Sequence, residues 1–247
     1  MNLLILIPIV IASLTISTVS ISLYIRKYNS SELITAIYVI YLALSQILAI
    51  KIVDFGFNIS APAAVVIFPF IFQLTDTMNE HFGKKATYRM IFIGFITQVL
   101  MTFFIIIGND LNPSGDWFIF GATYDLEIAW DNFFGQSVGI ITGSWVAFLV
   151  SNFFDTWFYD WVKSKTKEKA LWIRSILTDI PSLAIDSCIF VTIAFGLFMG
   201  LWGIVGKLIL GQLITKWILG VVDTPFLYLD RWIVNYKRKP KEEEISS

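Results

Sequence analysis

The stretch FPFIFQLTDTMNEHFGKKATYR, residues 68–89, holds the features that decide the fold of this chain. It begins with a mostly apolar run and then carries two carboxylates, Asp76 and Glu80, four positions apart. Gly83 and the lysines after it are typical of a helix that ends at a membrane surface, because glycine terminates helices and cations suit their carboxyl ends. The stretch therefore predicts a membrane helix that carries acidic groups in its interior and ends at a basic turn.

Similar apolar stretches recur along all 247 residues. Hydrophobic residues make up 56% of the chain and charged residues only 15%, whereas soluble domains carry roughly a quarter charged residues. A helix that crosses a bilayer needs about 20 mostly apolar residues. We therefore predict an all-α polytopic membrane helix bundle, with seven transmembrane helices in a single domain over residues 1–247. The seven stretches are residues 3–25, 33–54, 61–80, 86–107, 133–160, 171–199 and 203–230.

Basic residues are concentrated in alternate connections and near the carboxyl end. Cytoplasmic loops of membrane proteins are enriched in lysine and arginine, so this distribution predicts an amino end outside and a carboxyl end inside (N-out/C-in). We expect a multi-pass protein of the plasma membrane. Residues 26–27, 84–89, 163–174 and 231–241 together hold 15 of the 18 lysines and arginines.

Two segments outside the helices follow from this topology. Residues 108–132 are acidic and rich in aromatic residues, and they are predicted to form an extracellular loop. This loop either lies on the outer membrane surface or acts as a lid over a binding site. Residues 234–247 are predicted to form a cytoplasmic tail.

Composition also excludes several kinds of site. Cys188 is the only cysteine and His81 the only histidine, so neither a disulfide framework nor a histidine-based zinc centre is expected. The net charge of −1 gives no sign of a nucleic-acid partner. We expect no cofactor, and we interpret His81 as a surface loop residue. The apolar surface serves either the lipid bilayer or a homodimer, which the pattern does not separate.

Carboxylates inside the apolar stretches form a pattern. Asp76, Asp155 and Asp223 are each followed by threonine, and each precedes a basic residue by eight positions. At about 1.5 Å of rise per residue, each lies roughly 12 Å from the basic boundary, so the three share one depth. Asp186 lies roughly 18 Å from Arg174, near the midplane. Because ionisable residues in membrane helices usually face a polar interior, the pattern predicts a polar cavity.

Lys216 also lies inside an apolar stretch, one helical turn after Gln212. A buried ammonium group needs an anion, and Asp186 is its predicted partner. The alternative for these polar side chains is a structural role, in which they hold neighbouring helices together by hydrogen bonds.

Asp76 and Glu80 repel each other if both are ionised, which suits a site that carries a proton. Asn79 lies between them on the same helix. A gate or proton site is therefore predicted here. Asp223 lies at the same depth as Asp76, although its position before Pro225 also suits the capping of a helix break.

Four motifs carry a resemblance to a known family. They are FPFIFQLTDTMNEHFGKKATYR at 68–89, SNFFDTWFYDWVK at 151–163, DSCIFVTIAF at 186–195 and KWILGVVDTPFLYL at 216–229. With them the chain resembles the queuosine precursor transporters of the vitamin uptake transporter group. The resemblance implies a six-helix core preceded by an additional amino-terminal helix.

The resemblance further implies import of a 7-deazaguanine for tRNA modification. The candidates are 7-cyano-7-deazaguanine, its aminomethyl derivative and queuine. A carboxylate can accept two adjacent N–H groups of such a base, and amide or ammonium groups can donate to its carbonyl. The expected substrate-binding residues are Asp186, Asp155, Asn152, Lys216 and Gln46. The expected gate or proton residues are Asp76, Asn79, Glu80 and Asp223.

Two other functions remain open at this point, besides a membrane scaffold that binds no ligand. The first is the substrate-binding subunit of an energy-coupling-factor vitamin transporter, which would need a separate ATPase module because no Walker motif is present. The second is an intramembrane aspartyl enzyme. The glycine that such enzymes carry beside the aspartate is missing here, so we favour a transporter over an enzyme.

Overall fold

A computed structural model describes residues 3–49, 51–54, 60–114, 126–134, 138–166 and 171–235. The described chain is almost entirely helical. A 3₁₀ turn, Ala63–Val66, and a π-helical segment, Thr192–Phe198, accompany the α-helices. The helices are α1 (Leu3–Tyr28), α2 (Glu32–Ala49), α3 (Phe68–Phe82), α4 (Lys84–Asp110), α5 (Leu126–Phe134), α6 (Val138–Thr166), α7 (Leu171–Val191) and α8 (Trp202–Asn235), and the strands are β1 (Ile52–Asp54) and β2 (Ser60–Pro62).

Four stretches of the described helices are long and apolar enough to cross a membrane. They are Pro8–Tyr28, Glu32–Ala49, Lys84–Asp110 and Leu177–Phe198. The helices α6 and α8 contain 29 and 34 residues, which also exceeds the length that a bilayer requires. The architecture is that of a helical membrane bundle, as the sequence predicts.

The segment between α2 and α3 differs from the prediction. Apolar residues continue to residue 54 and resume at residue 61, yet α2 ends at Ala49 and α3 begins only at Phe68. Proline explains the late start of α3, because Pro69 lacks a backbone N–H and therefore suits the first turn of a helix. A pattern of apolar residues alone does not distinguish a helix from short buried strands.

The strands β1 and β2 form an antiparallel hairpin in this segment. Val53 lies opposite Ala61, and the Ala63 N–H donates a hydrogen bond of 2.7 Å to the Lys51 carbonyl. We call the side of the bundle that carries this hairpin the hairpin end. The other side, where Lys84, Lys163 and Arg231 lie, is called the basic end.

The predicted loop 108–132 is partly helical. The helix α4 continues to Asp110, and α5 begins at Leu126. The Trp130 indole N–H donates to the Asn109 side-chain oxygen at 2.8 Å and so joins α5 to α4. Residues 115–125 lie outside the described residues, as does most of the predicted tail, since α8 ends at Asn235.

Two glycines fix the positions of α2, α3 and α4. Gly83 joins α3 to α4 with φ 78° and ψ 170°, a conformation that other residues adopt only with strain. A Cβ added at Gly94 would lie 2.6 Å from Leu42 Cδ1 and 2.9 Å from Tyr38 Cε1. The close approach of α2 and α4 therefore depends on the absence of a side chain at Gly94.

Candidate functional site

A cavity lies between the helices in the half of the bundle nearer the hairpin. Pro62 and Val65 cover it from the hairpin end, and the rings of Phe68, Phe148 and Phe190 line it. Planar rings of this kind suit the faces of a flat apolar or heteroaromatic ligand. The polar side chains that line the cavity are Ser45, Gln46, Gln98, Ser144, Asn152, Asp186 and Gln212.

Three helices contribute one polar cluster to the cavity wall. The Gln46 amide nitrogen donates to Gln98 Oε1 at 2.8 Å and contacts Ser144 Oγ at 2.6 Å. Gln46 was predicted as a binding residue, whereas Gln98 and Ser144 were not. A lone glutamine within the apolar sequence of α4 was the available signal for Gln98, because such residues normally face a polar interior.

Asp186 and Lys216 form a buried ion pair at the edge of the cavity. Their closest atoms, Asp186 Oδ2 and Lys216 Nζ, are 2.5 Å apart, and both residues are at most 4% exposed. Lys216 Nζ also donates to Ser187 Oγ at 3.1 Å and lies 3.9 Å from the centre of the Phe68 ring. The contact predicted between Asp186 and Lys216 is present, and it cancels the charge of the carboxylate that lines the cavity.

Asn152 is held in place by hydrogen bonds to α6 and α2. Its Nδ2 donates to the Phe148 carbonyl at 2.9 Å, and its Oδ1 accepts from the Tyr38 hydroxyl at 3.1 Å. Gln212 differs, because its amide has no hydrogen-bond partner among the described residues although the residue is only 2% exposed. An amide that is shielded from solvent and faces a cavity is available to a ligand.

A second polar cluster lies toward the basic end. Asp76 on α3, Asp155 on α6 and Asp179 on α7 each place a carboxylate oxygen within 4.8 Å of the others, and all three are buried. Asp155 accepts hydrogen bonds from Ser182 at 2.8 Å and from Thr75 at 3.4 Å. Asp155 was predicted beside Asp186, but it does not line the cavity and belongs to this acidic cluster.

Two more oxygen atoms are buried where α3 meets α6. Asn79 Nδ2 donates to the Thr156 carbonyl at 3.4 Å, so the Asn79 side chain reaches from α3 toward the residue that follows Asp155. Neither Asn79 Oδ1 nor Thr156 Oγ1 has a hydrogen-bond partner among the described residues. Unsatisfied buried oxygens beside carboxylates are suited to a proton or a cation.

Glu80 forms ion pairs with two cations at the basic end. Its carboxylate lies 3.2 Å from Lys163 Nζ and 3.9 Å from the Arg231 guanidinium. Lys163 also donates to the Asn79 and Glu80 carbonyls, at 3.5 and 3.3 Å, and so caps the carboxyl end of α3. The Glu80 carboxylate therefore pairs with cations at the end of the helix, and its proton-carrying role with Asp76 stays a prediction.

His81 is part of a buried link between three helices. Its Nε2 lies 2.6 Å from Asp230 Oδ2 on α8, and Ser22 on α1 donates to Asp230 Oδ1 at 2.6 Å. The interpretation of His81 as a surface loop residue is wrong, because α3 extends through Phe82 and turns the ring toward α8. Asp223 lies in α8, but its side chain is outside the described residues.

Comparisons with known proteins agree with the resemblance seen in the sequence. The family described as "Putative vitamin uptake transporter" matches residues 62–229. A relative from Bacillus subtilis (strain 168), named "Probable queuosine precursor transporter", is 23% identical over 194 residues, which cover 77% of this chain and 78% of that protein. No solved structure matches the chain. Since the family match spans well over half of the sequence, the chain belongs to the vitamin uptake transporter family.

Proposed function

We propose that this protein imports a 7-deazaguanine, the precursor of a modified tRNA base, across the plasma membrane. The observation that carries the proposal is a cavity that combines phenylalanine rings with amide groups and one carboxylate. Stacking on rings and hydrogen bonding at the edges are how a purine-like base is recognised. The name of the Bacillus subtilis relative supports the same class of substrate.

The proposed binding mode places the base between the rings, with its edges toward Gln46, Gln98 and Asn152. Asp186 would accept N–H groups of the base, and Lys216 would orient that carboxylate as its counter-ion. Asp155 is not proposed to bind the base. Its proposed role is instead in the coupling of transport.

The orientation that accompanies this proposal has seven spans, with N-out and C-in. The hairpin end then faces the outside, because the basic residues of cytoplasmic loops lie at the other end. The substrate would enter from the hairpin side, with residues 108–132 as an extracellular loop beside the entrance. The cavity would empty toward the acidic cluster and the basic end.

The coupling role is proposed for Asp76, Asp155 and Asp179. Three ionised carboxylates within 4.8 Å of one another are unfavourable in a membrane interior, so the cluster would hold a proton or a cation. Asn79 belongs to this site through its buried amide oxygen. If protons drive uptake, collapsing the pH gradient abolishes it, whereas uptake that survives this treatment refutes proton coupling.

Glu80 would act as the inner gate. It joins α3 to α6 and α8 through Lys163 and Arg231, so release of these ion pairs would let the basic end open. Partly exposed ion pairs each contribute little free energy. Opening of the basic end would therefore require only a small change in the free energy of these pairs.

The experiment is uptake in cells that cannot make the base, with modified tRNA as the readout. Asp186→Asn is expected to abolish uptake, because the carboxylate lines the cavity. Asp160→Asn is the matched control, since Asp160 lies near the basic end and is partly exposed beside Lys84. A stable Asp186→Asn protein with full uptake would refute the assigned binding residue. Co-purification with an ATPase module would favour an energy-coupling-factor subunit instead.

A further inference from the structure

The balance of charge around the cavity is the starting point for an inference that rests on the proposed function. Asp186 is the only charged residue among the described residues that line the cavity. Its Oδ2 is already 2.5 Å from Lys216 Nζ, and its Oδ1 accepts a long hydrogen bond of 3.4 Å from Ser151. The pair therefore has no net charge, and the cavity offers no uncompensated anion to a cationic ligand.

The Gln212 amide can hydrogen-bond to a ligand, whereas the Asp186 carboxylate is already paired with Lys216. Both the donor and the acceptor of the Gln212 amide are without a partner among the described residues, while the residue is 2% exposed. The Gln98 Oε1, by contrast, already accepts from Gln46. Asn152 and Gln46 already make the hydrogen bonds described above. A glutamine amide has donor and acceptor groups side by side, so it can bond to an adjacent acceptor and donor on a heterocycle. Leaving such a group unpaired when a ligand displaces water would weaken binding.

We propose that Gln212 determines specificity, and that the cavity selects uncharged 7-deazaguanines over cationic ones. The uncharged 7-cyano compound can pair with the Gln212 amide and bury its flat rings against phenylalanines. The aminomethyl compound brings an ammonium group, which is costly to bury where the nearby carboxylate is already neutralised. It would have to compete with Lys216 for Asp186.

The test is binding of both compounds to the purified full-length protein in detergent. The wild type is expected to bind 7-cyano-7-deazaguanine at least about tenfold more tightly than the aminomethyl derivative. Gln212→Glu adds a second carboxylate one helical turn from Lys216, which is already paired with Asp186, so the site gains a net negative charge. The affinity ratio should then shift by about tenfold or more toward the aminomethyl compound. Gln212→Leu should weaken binding of the 7-cyano compound.

Gln73→Glu is the matched control. Gln73 is a buried glutamine that donates to Thr18 Oγ1 at 2.7 Å and does not line the cavity. This substitution should leave the affinity ratio unchanged.

Three results would overturn the inference. They are equal affinities of the wild type for the two compounds, a preference for the cationic one, and an unchanged ratio in Gln212→Glu. The wild-type comparison decides the charge preference even if a variant fails to fold. Binding of neither compound by the wild type would instead refute the proposed function, and the inference would fall with it. Binding without discrimination leaves the proposed function intact.

Discussion

Replacing Lys216 with methionine removes one partner of the buried ion pair and leaves the Asp186 carboxylate without its counter-ion. Lys216 is 1% exposed and Asp186 4% exposed, so solvent does not reach the carboxylate readily. Removing one partner of a buried pair typically destabilises a protein by about 3–5 kcal/mol. Lys216→Met would also remove the hydrogen bond to Ser187 and the contact with the Phe68 ring.

The size of the loss follows from the burial of the carboxylate. Solvent stabilises an unpaired charge poorly at such a position, so the loss should fall within the range found for broken buried pairs. We expect a loss of about 3–4 kcal/mol at pH 7, or roughly 10 °C in melting temperature.

The assay is thermal unfolding of the purified protein in detergent at pH 7. Lys216→Met with Asp186→Asn should regain much of the stability, because no charge is then left without a partner. Lys207→Met is the matched control, since Lys207 is exposed on the same helix, and it should melt like the wild type. An unchanged melting temperature for Lys216→Met, or no recovery of stability in the double variant, would refute the reasoning.

Three further substitutions test the packing of the helices by the same thermal assay. Gly94→Ala should lose about 1–3 kcal/mol, because the new Cβ would meet Leu42 at 2.6 Å, and an unaltered melting temperature would contradict this close approach. Gly83→Ala should cost about 1–3 kcal/mol through backbone strain at φ 78°, and wild-type stability would argue against that conformation. Ser22→Ala should lose about 1–3 kcal/mol, because Asp230 loses a buried donor, and no loss would mean that the link to α1 is not formed.

The sequence predicts the helices well where apolar length and charge agree. The acidic residues Asp76 and Asp155 were expected at one depth, and in the structure their carboxylates are close together. The contact between Lys216 and Asp186 was also predicted, because a buried ammonium group needs an anion and few anions were within reach. In both cases a charged group buried in a membrane needs polar partners, and few residues of the chain can supply them.

Other features depend on geometry that the sequence pattern does not contain. The hairpin after α2 has the same apolar composition as a helix, so only its pairing distinguishes it. The partners of Glu80 and His81 depend on where α6 and α8 pass the end of α3, and helix crossing angles do not follow from spacing along one chain. For the same reason the pattern did not separate Asp155 from Asp186.

The two ends of the bundle are closed by different kinds of contact. At the hairpin end the cavity is covered by small apolar residues such as Pro62 and Val65, whereas at the basic end ion pairs of Glu80 join α3 to α6 and α8. Dissolved salt shortens the range of charge interactions from about 8 Å at 0.15 M to about 3 Å at 1 M, and it leaves apolar contacts in place. A higher salt concentration should therefore weaken the contacts between helices at the basic end and leave the apolar contacts at the hairpin end unchanged.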